Sequence, residues 1–477
     1  MIPASEGTIR LERGVVSGFA AANLPVGALA TAVAVFLPAH FTRHLGMALA
    51  TVGTAWMVVR LLDILVDPAL GLLIDRTRTS FGRYRVWIAA ATPLLMLATY
   101  ALFEAPFGAS APYLVGWLLI FYLANSVMTL GQSAWGASIA RDYNERARLF
   151  AASASMGGIA AIAVLLVPVI GEQLGRQAPQ AVPDIGFFIL TITLPALAWL
   201  LIRAPERPII TSREAPFRFS DYLKMVAKPD LARLMAAQLA LSLGPGWMSS
   251  LYFFFYVDAR HFTTAEASAL LLIYILAGVA GAPACAAFAR RYSKHRALMF
   301  AAASYSLGLF GMILPPEGNF LFAVPAMFWC GFMSAGFDLM IRAMLADVGD
   351  EVRLETGQDR SGSIFALSTA ANKVATAVAI GLTFPLLAWL GYDPTAGDRN
   401  PANAIRGLEL AFLAGPILFV ALGGWCVAGW RLDAGRHAEI QRRLAERDQG
   451  PVPQSRNVAA VVTGAEKAGP IYGNQGE

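Results

Sequence analysis

The sequence predicts an all-α membrane protein: twelve transmembrane helices in two sets of six, joined by a polar connection. Three observations carry that reading. The chain of 477 residues is 57% hydrophobic and only 14% charged, against about 25% charged in soluble domains. Twelve apolar stretches recur along it, each near the roughly 20 residues that a hydrocarbon layer about 30 Å thick demands of a helix. Lys and Arg collect in alternate connections, as membrane topology requires.

In order, the apolar stretches cover residues 15–40, 48–74, 85–104, 112–139, 150–171, 184–203, 230–258, 264–289, 296–315, 319–346, 362–391 and 404–431. The longest interior polar stretch, Arg203 to Pro229, follows the sixth. It divides the chain into a six-helix unit over 1–203, a connection over 204–229 and a second six-helix unit over 230–431, as two parallel repeats would. The even-numbered connections carry Arg76, Arg78, Arg83 and Arg85, then Arg141, Arg146 and Arg148, then Arg207, Arg213, Arg218, Lys224 and Lys228. Arg290, Arg291, Lys294 and Arg296 follow, then Arg353 and Arg360. The odd-numbered connections hold Arg43, Arg176, Arg260 and Arg399. This bias places both termini on the cytoplasmic side of a bacterial-type inner (plasma) membrane. It also accounts for the net charge of +5, so no nucleic-acid partner is expected; the partners are a lipid bilayer and a small solute, with the chain acting as a monomer.

The ends differ from the middle. The N-terminus, MIPASEGTIRLERG, lacks the apolar core of a signal peptide. Residues 432–477 read as a cytoplasmic tail: 432–448 (LDAGRHAEIQRRLAERD) as a charged helix at the membrane face, and 450–477 as disordered, given their Gly, Pro, Ala and polar content. Cys285, Cys330 and Cys426 lie in apolar stretches and read as small packing residues. The five histidines show no metal-ligand spacing, and no Gly-Lys-Ser/Thr phosphate loop occurs. The sequence therefore predicts neither an enzyme nor an ATP-driven pump, and no cofactor.

The chemistry concentrates in the second stretch. Val52 to Ile74 is apolar enough to span a bilayer, yet contains Arg60, Asp63 and Asp67. One charge at mid-bilayer costs roughly 2.5–3.5 kcal/mol on insertion scales. The spacing i, i+3, i+7 puts all three on one helix face, and that face must meet partners, an ion or a water-filled path. Pro68 removes a backbone hydrogen bond and favours a kink there; Gly71 permits close helix approach. Asp75 and the basic residues Arg76, Arg78, Arg83 and Arg85 follow in a short cytoplasmic connection that could latch the inner gate through charge pairs.

The run Asp63-xxx-Asp67-Pro68-xx-Gly71-xxx-Asp75-Arg76-Thr77, with Gly82-Arg83-Tyr84-Arg85 and Trp87, resembles the glycoside–pentoside–hexuronide:cation symporters of the major facilitator superfamily. Asp142-Tyr143-Asn144-Glu145-Arg146 is similar to that family's D-Y-x-E-R loop. Ala346-Asp347-Val348-x-Asp350, Thr356-Gly357, Arg360, Gly362 and Lys373 resemble its signature after the tenth helix. The resemblance runs from about residue 15 to 430 and implies a twelve-helix major facilitator fold of two six-helix halves. It implies that Asp63 and Asp67 hold a coupling cation, Na⁺ or H⁺, with Ser126 as a hydroxyl ligand, Arg60 as neighbour and Lys373 as competing charge. Asp142 and Arg146 join Asp75, Arg76, Arg83 and Arg85 as the cytoplasmic gate.

The sugar side departs from the family. Its members use an aspartate on the first helix, an aspartate and an aromatic on the fourth, and an arginine early on the fifth. Here the matching positions fall near Val26 and Gly27, at Met128 to Leu130, and at Ala154. A melibiose-like sugar is therefore not the expected solute. Asn23, Asn125, Gln132, Trp135, Trp247, Tyr252 and Tyr256 are the expected cavity lining, with core packing as the competing reading for each aromatic. Asp338 and Arg342, an i, i+4 pair of opposite sign that could neutralise itself, join that expected lining, with Asp338 as a second functional acid and a purely structural pair as the competing reading. The expected function is cation-coupled symport of a small organic solute by alternating access. The alternatives are a symporter or flippase-like carrier of an amphipathic, lipid-like substrate, and a proton-coupled exporter of a metabolite.

Overall fold

The computed structural model describes residues 11–140, 143–206, 228–314, 316–357, 360–432 and 434–448, and among them there is no strand. The helices are α1 (Arg13–Arg43), α2 (Leu49–Arg76), α3 (Arg83–Phe103), α4 (Ala111–Ile139), α5 (Tyr143–Gln173) and α6 (Ala181–Arg203). Then come α7 (Pro229–Phe253), α8 (Thr264–Tyr292), α9 (Lys294–Phe310), α10 (Phe320–Thr356), α11 (Ser361–Trp389), α12 (Ala402–Cys426) and the charged α13 (Ala434–Asp448). Nine of the helices among the described residues are long and apolar enough to cross a membrane. Lipid leaves backbone polar groups no outside partner, so the chain closes its hydrogen bonds within helices.

The packing repeats with a shift of six. Among the first six helices, α1 packs on α5 and α6, α4 on α2 and α3, and α3 on α6. Among the next six, α7 packs on α11 and α12, α10 on α8 and α9, and α9 on α12. The two sets meet chiefly where α2 packs on α11 and α5 on α8, which the same shift interchanges. Even the irregularities correspond. A wide π turn over Ala32–Phe36 interrupts α1, and another over Phe254–Ala259 continues α7.

Without a hydrophobic drive between helices in lipid, close contact depends on small residues. Gly27 on α1 lies on the backbone of Gly157 on α5. Gly331 on α10 sits on the carbonyl of Tyr274, and Gly281 on α8 on the carbonyl of Phe332. A Cβ at any of the three would collide with main chain that cannot rotate away.

The apolar stretches read from sequence match these helices within about five residues, with two corrections. The fifth was read from 150, yet α5 begins at Tyr143, so the D-Y-x-E-R segment, read as a loop, is helical from Tyr143 on. The tenth was read to end at 346. Instead α10 continues ten residues further, to Thr356, where Gly357 at φ 73° terminates it. Its polar extension is held by partners that hydropathy does not see: Lys294 reaches both Asp347 oxygens at 2.7 Å, and His437 of α13 lies 3.1 Å from Asp350. The charged tail helix forms where expected, at Ala434–Asp448. Most of the 204–229 connection and the 450–477 tail segment lie outside the described residues. Pro68 sits inside α2 without ending it.

Gly331→Val should force α8 and α10 apart. The expected loss is about 1–3 kcal/mol of stability, as for other overpacked interiors, read as a lowered unfolding temperature of the purified protein. Gly71→Val, at a position where a Cβ would meet nothing within 4 Å, should leave that temperature unchanged.

Candidate cation site

α2 and α11 run antiparallel and touch first through small residues. A Cβ at Gly53 would lie 2.9 Å from the Phe384 Cβ, and one at Gly381 would lie 2.6 Å from the Met57 sulfur. Two turns further along α2 the apolar seam gives way to charge. Lys373 Nζ donates to Asp63 Oδ2 at 2.9 Å and also to Asp67 Oδ2. Ser126 on α4 donates to the other Asp63 oxygen at 2.7 Å. Arg60 Nη1 lies 3.3 Å from Asp63 Oδ2, and its Nη2 donates to Thr376 Oγ1 at 3.2 Å. The guanidinium also lies over the Tyr122 ring, 4.6 Å from its centroid.

Two acids and two bases give this cluster a formal charge of zero. Asp63 is buried, while Lys373 and Asp67 keep about a fifth of their side-chain surface exposed, at 20% and 22%. One acceptor is left over: Asp67 Oδ1 is buried without a hydrogen-bond partner. Such an atom costs about 1–3 kcal/mol in an interior. Past this layer the packing loosens. A Cβ at Gly71, one turn past Asp67, would meet nothing within 4 Å. Ala366 and Thr369, on the face of α11 that carries Lys373, are exposed.

The predicted core of the site, Asp63, Asp67, Ser126, Arg60 and Lys373, is brought together. Tyr122 and Thr376 were missed. The signal for both was spacing, since Tyr122 lies i−4 from Ser126 and Thr376 lies i+3 from Lys373.

The expected aromatic cavity lining is corrected. Trp135 is fully buried, donates to the Pro205 carbonyl at 3.1 Å and stacks on Tyr84. Trp247 donates to the Ala411 carbonyl at 2.9 Å and covers Gly415. Tyr252 donates to the Ala267 carbonyl at 2.8 Å. Tyr256 is buried among Phe255, Phe262 and Phe412. All four rings are buried; the first three spend their polar atom on a backbone carbonyl, while the Tyr256 hydroxyl is buried without a partner. Gln132 is buried as well, with Nε2 3.5 Å from the Phe19 carbonyl. Asn23 and Asn125 are half-buried, and the Asn23 amide donates to its own helix at Phe19. Asp338 and Arg342 do face a recess; they are paired at 2.6 Å and largely exposed.

The gate charges bind within the first six helices. Arg83 pairs with Asp75 and donates to the Ile74 carbonyl at 2.9 Å. Arg85 donates to the Ala204 carbonyl at 2.5 Å. Glu206, missed from sequence, accepts from the N–H groups of Arg83, Tyr84 and Arg85, placing a carboxylate at the positive end of α3. Arg146 lies 3.3 Å from the Ala137 carbonyl at the end of α4, and Arg76 is exposed. Asp142 lies outside the described residues.

The opposite end of the bundle carries a latch. Asp258, at the end of the π turn after α7, accepts from Arg43 at the end of α1 and from the Tyr392 hydroxyl after α11. Asp258 is almost fully buried, at 4% side-chain exposure. His44, just past α1, is pushed down to about 4 by burial and by the Arg43 charge, so it stays neutral beside the latch. The pair was legible only as two charges flanking spans six helices apart.

The sequence family described as MFS/sugar transport protein matches residues 18–434. The putative glycoside/cation symporter YagG of Escherichia coli is 24% identical over 438 residues, covering 87% of this chain and 92% of that protein. The raffinose carrier protein of Pediococcus pentosaceus is 23% identical, covering 87% and 68%. The crystal structure of the nucleoside transporter NupG superposes with a TM-score of 0.65 at 12% identity, covering 87% of this chain and 99% of that one, a likeness of fold. The fold is thus all-helical and of the major facilitator type, and the chain belongs to the MFS/sugar transport family, that of the glycoside–pentoside–hexuronide symporters.

Proposed function

We propose that the protein is a secondary active transporter that couples a cation, Na⁺ or H⁺, to symport of a small organic solute. The twelve long helices act as two six-helix halves, as the six-helix shift in packing supports, with the termini on the cytoplasmic side. One observation carries the coupling: a single ammonium, Lys373, holds both Asp63 and Asp67 across the interface of the two sets, and Asp67 keeps a buried oxygen without a partner.

An incoming cation finds hard oxygen ligands already gathered. Asp63 Oδ1 is fixed by Ser126, and the orphan Asp67 oxygen is unspent. Binding there adds one positive charge to a neutral cluster and competes with Lys373 for the aspartates. The ammonium held between α2 and α11 is then released, so occupancy biases the relation of the two halves. A proton on Asp67 acts in the same sense. Because removing one partner of a buried ion pair strands the other, the cluster resists half-occupied states.

The latch at Asp258, which holds Arg43 and Tyr392, is the opposite gate in this reading.

Neutralising the site tests the coupling. Na⁺ at a hundredfold excess over its dissociation constant should stabilise the purified protein by about 2.7 kcal/mol, against K⁺ as control. Asp63→Asn or Asp67→Asn should abolish that shift and concentrative uptake while the protein still inserts and folds. Stability that ignores Na⁺ but tracks pH in wild type alone assigns the proton. Normal accumulation by Asp67→Asn would sink the assignment.

Asp258→Asn should loosen the latch by about 3–5 kcal/mol, the usual cost of stranding one member of a buried ion pair. A cysteine placed at Phe262 should then react faster with an impermeant maleimide. An unchanged rate would remove the latch from the cycle.

A further inference from the structure

A recess of about 280 Å³ opens among α7, α8, α10 and α11. Its position is independent of the aromatic residues that sequence pointed to. It lies one residue along α11 from the coupling lysine: Asn372 lines it, and Lys373 holds the aspartates. Asp338 and Arg342 face it as an ion pair at 2.6 Å, with side chains 60% and 66% exposed.

The hydrogen-bonding capacity of this recess is unevenly spent. Gln238 donates to Ser242 Oγ at 2.8 Å and accepts from Ser368 Oγ at 3.1 Å. Ser334 Oγ donates to the Gly331 carbonyl at 2.9 Å. A hydroxyl-rich ligand would need these neutral donors and acceptors free, in a ring around it. Asn372 adds one neutral amide to the lining, and the other uncommitted atoms are charged. Among the described residues, the second Asp338 oxygen and the terminal nitrogens of Arg342 have no protein partner. A guanidinium fork matches a carboxylate or phosphate, and a free carboxylate oxygen matches a cation. The pair sums to zero, so a net-charged ligand leaves one member uncompensated, whereas a ligand carrying both signs satisfies both.

The first six helices lack charge at the positions where the family places it. At the positions where the family places charge, Gly27 is pressed on Gly157, Met128 is fully buried, and position 154 is alanine.

We infer that this recess binds a zwitterionic solute, its anionic group on Arg342 and its cationic group on Asp338. The inference rests on the transport reading above and names the substrate class for it. Recognition charge has moved from the first six helices to α10, onto the wall that shares a helical turn with Lys373.

A matched set of probes tests it by calorimetry on the full-length purified protein. Glycerophosphocholine and glycine betaine carry both charges, glycerophosphate the anion, choline the cation, and glycerol neither. At least one zwitterion should bind tenfold or more tighter than each of the other three. The single variants should invert the preference: Arg342→Gln should favour choline, and Asp338→Asn should favour glycerophosphate. A purely structural pair would give neither inversion. Equal binding of glycerol and the zwitterions, or variants with unchanged preference, would overturn the site. The response to Na⁺ and pH is read in the same samples. Zwitterion preference without any cation response removes the coupling and leaves the recess site standing. A cation response without zwitterion preference removes the recess site and leaves the coupling.

Discussion

Charge matching inside a membrane-depth interface is the constraint from which the rest of this structure follows. Charges on Asp63, Asp67 and Lys373 are costly at that depth unless each meets its opposite. Their shared solution puts two acids from α2 and one base from α11 in contact across the seam between the two sets of helices. Neither set is electrostatically complete alone. Arg60 balances the remaining charge, and its own partners, Thr376 and Tyr122, come from both sides of the seam. The cluster is therefore both the glue of the interface and its most breakable part, since anything that alters its charge alters the case for holding α2 against α11.

The seam around it changes along its length. Toward the latch, Gly53 and Gly381 let the helix backbones approach within ordinary side-chain contact, and Asp258 gathers Arg43 and Tyr392 from two other segments. Past Asp67 the same faces carry Gly71, where a Cβ would meet nothing within 4 Å, and the exposed Ala366 and Thr369. Contacts within each set are of a different kind. Gly27 on Gly157 and Gly331 on Tyr274 are backbone-on-backbone and leave nothing to rearrange. Rigid sets and an adjustable seam are what a rocking motion requires.

Much of this was legible in the sequence, and what was not had physical reasons. Hydropathy marks where a chain must be helical, so the spans emerged closely. The i, i+3, i+7 spacing of Arg60, Asp63 and Asp67 marked a site because charge in an apolar run has few innocent explanations. Lys373 joined them through the family resemblance. The aromatics failed because Trp135, Trp247, Tyr252 and Tyr256 satisfy an interior as well as a cavity, and sequence does not say which carbonyl an indole will reach. Glu206 and Asp258 were missed because each works on partners far away in the chain. The polar end of α10 was missed because Lys294 and His437 complete it from elsewhere.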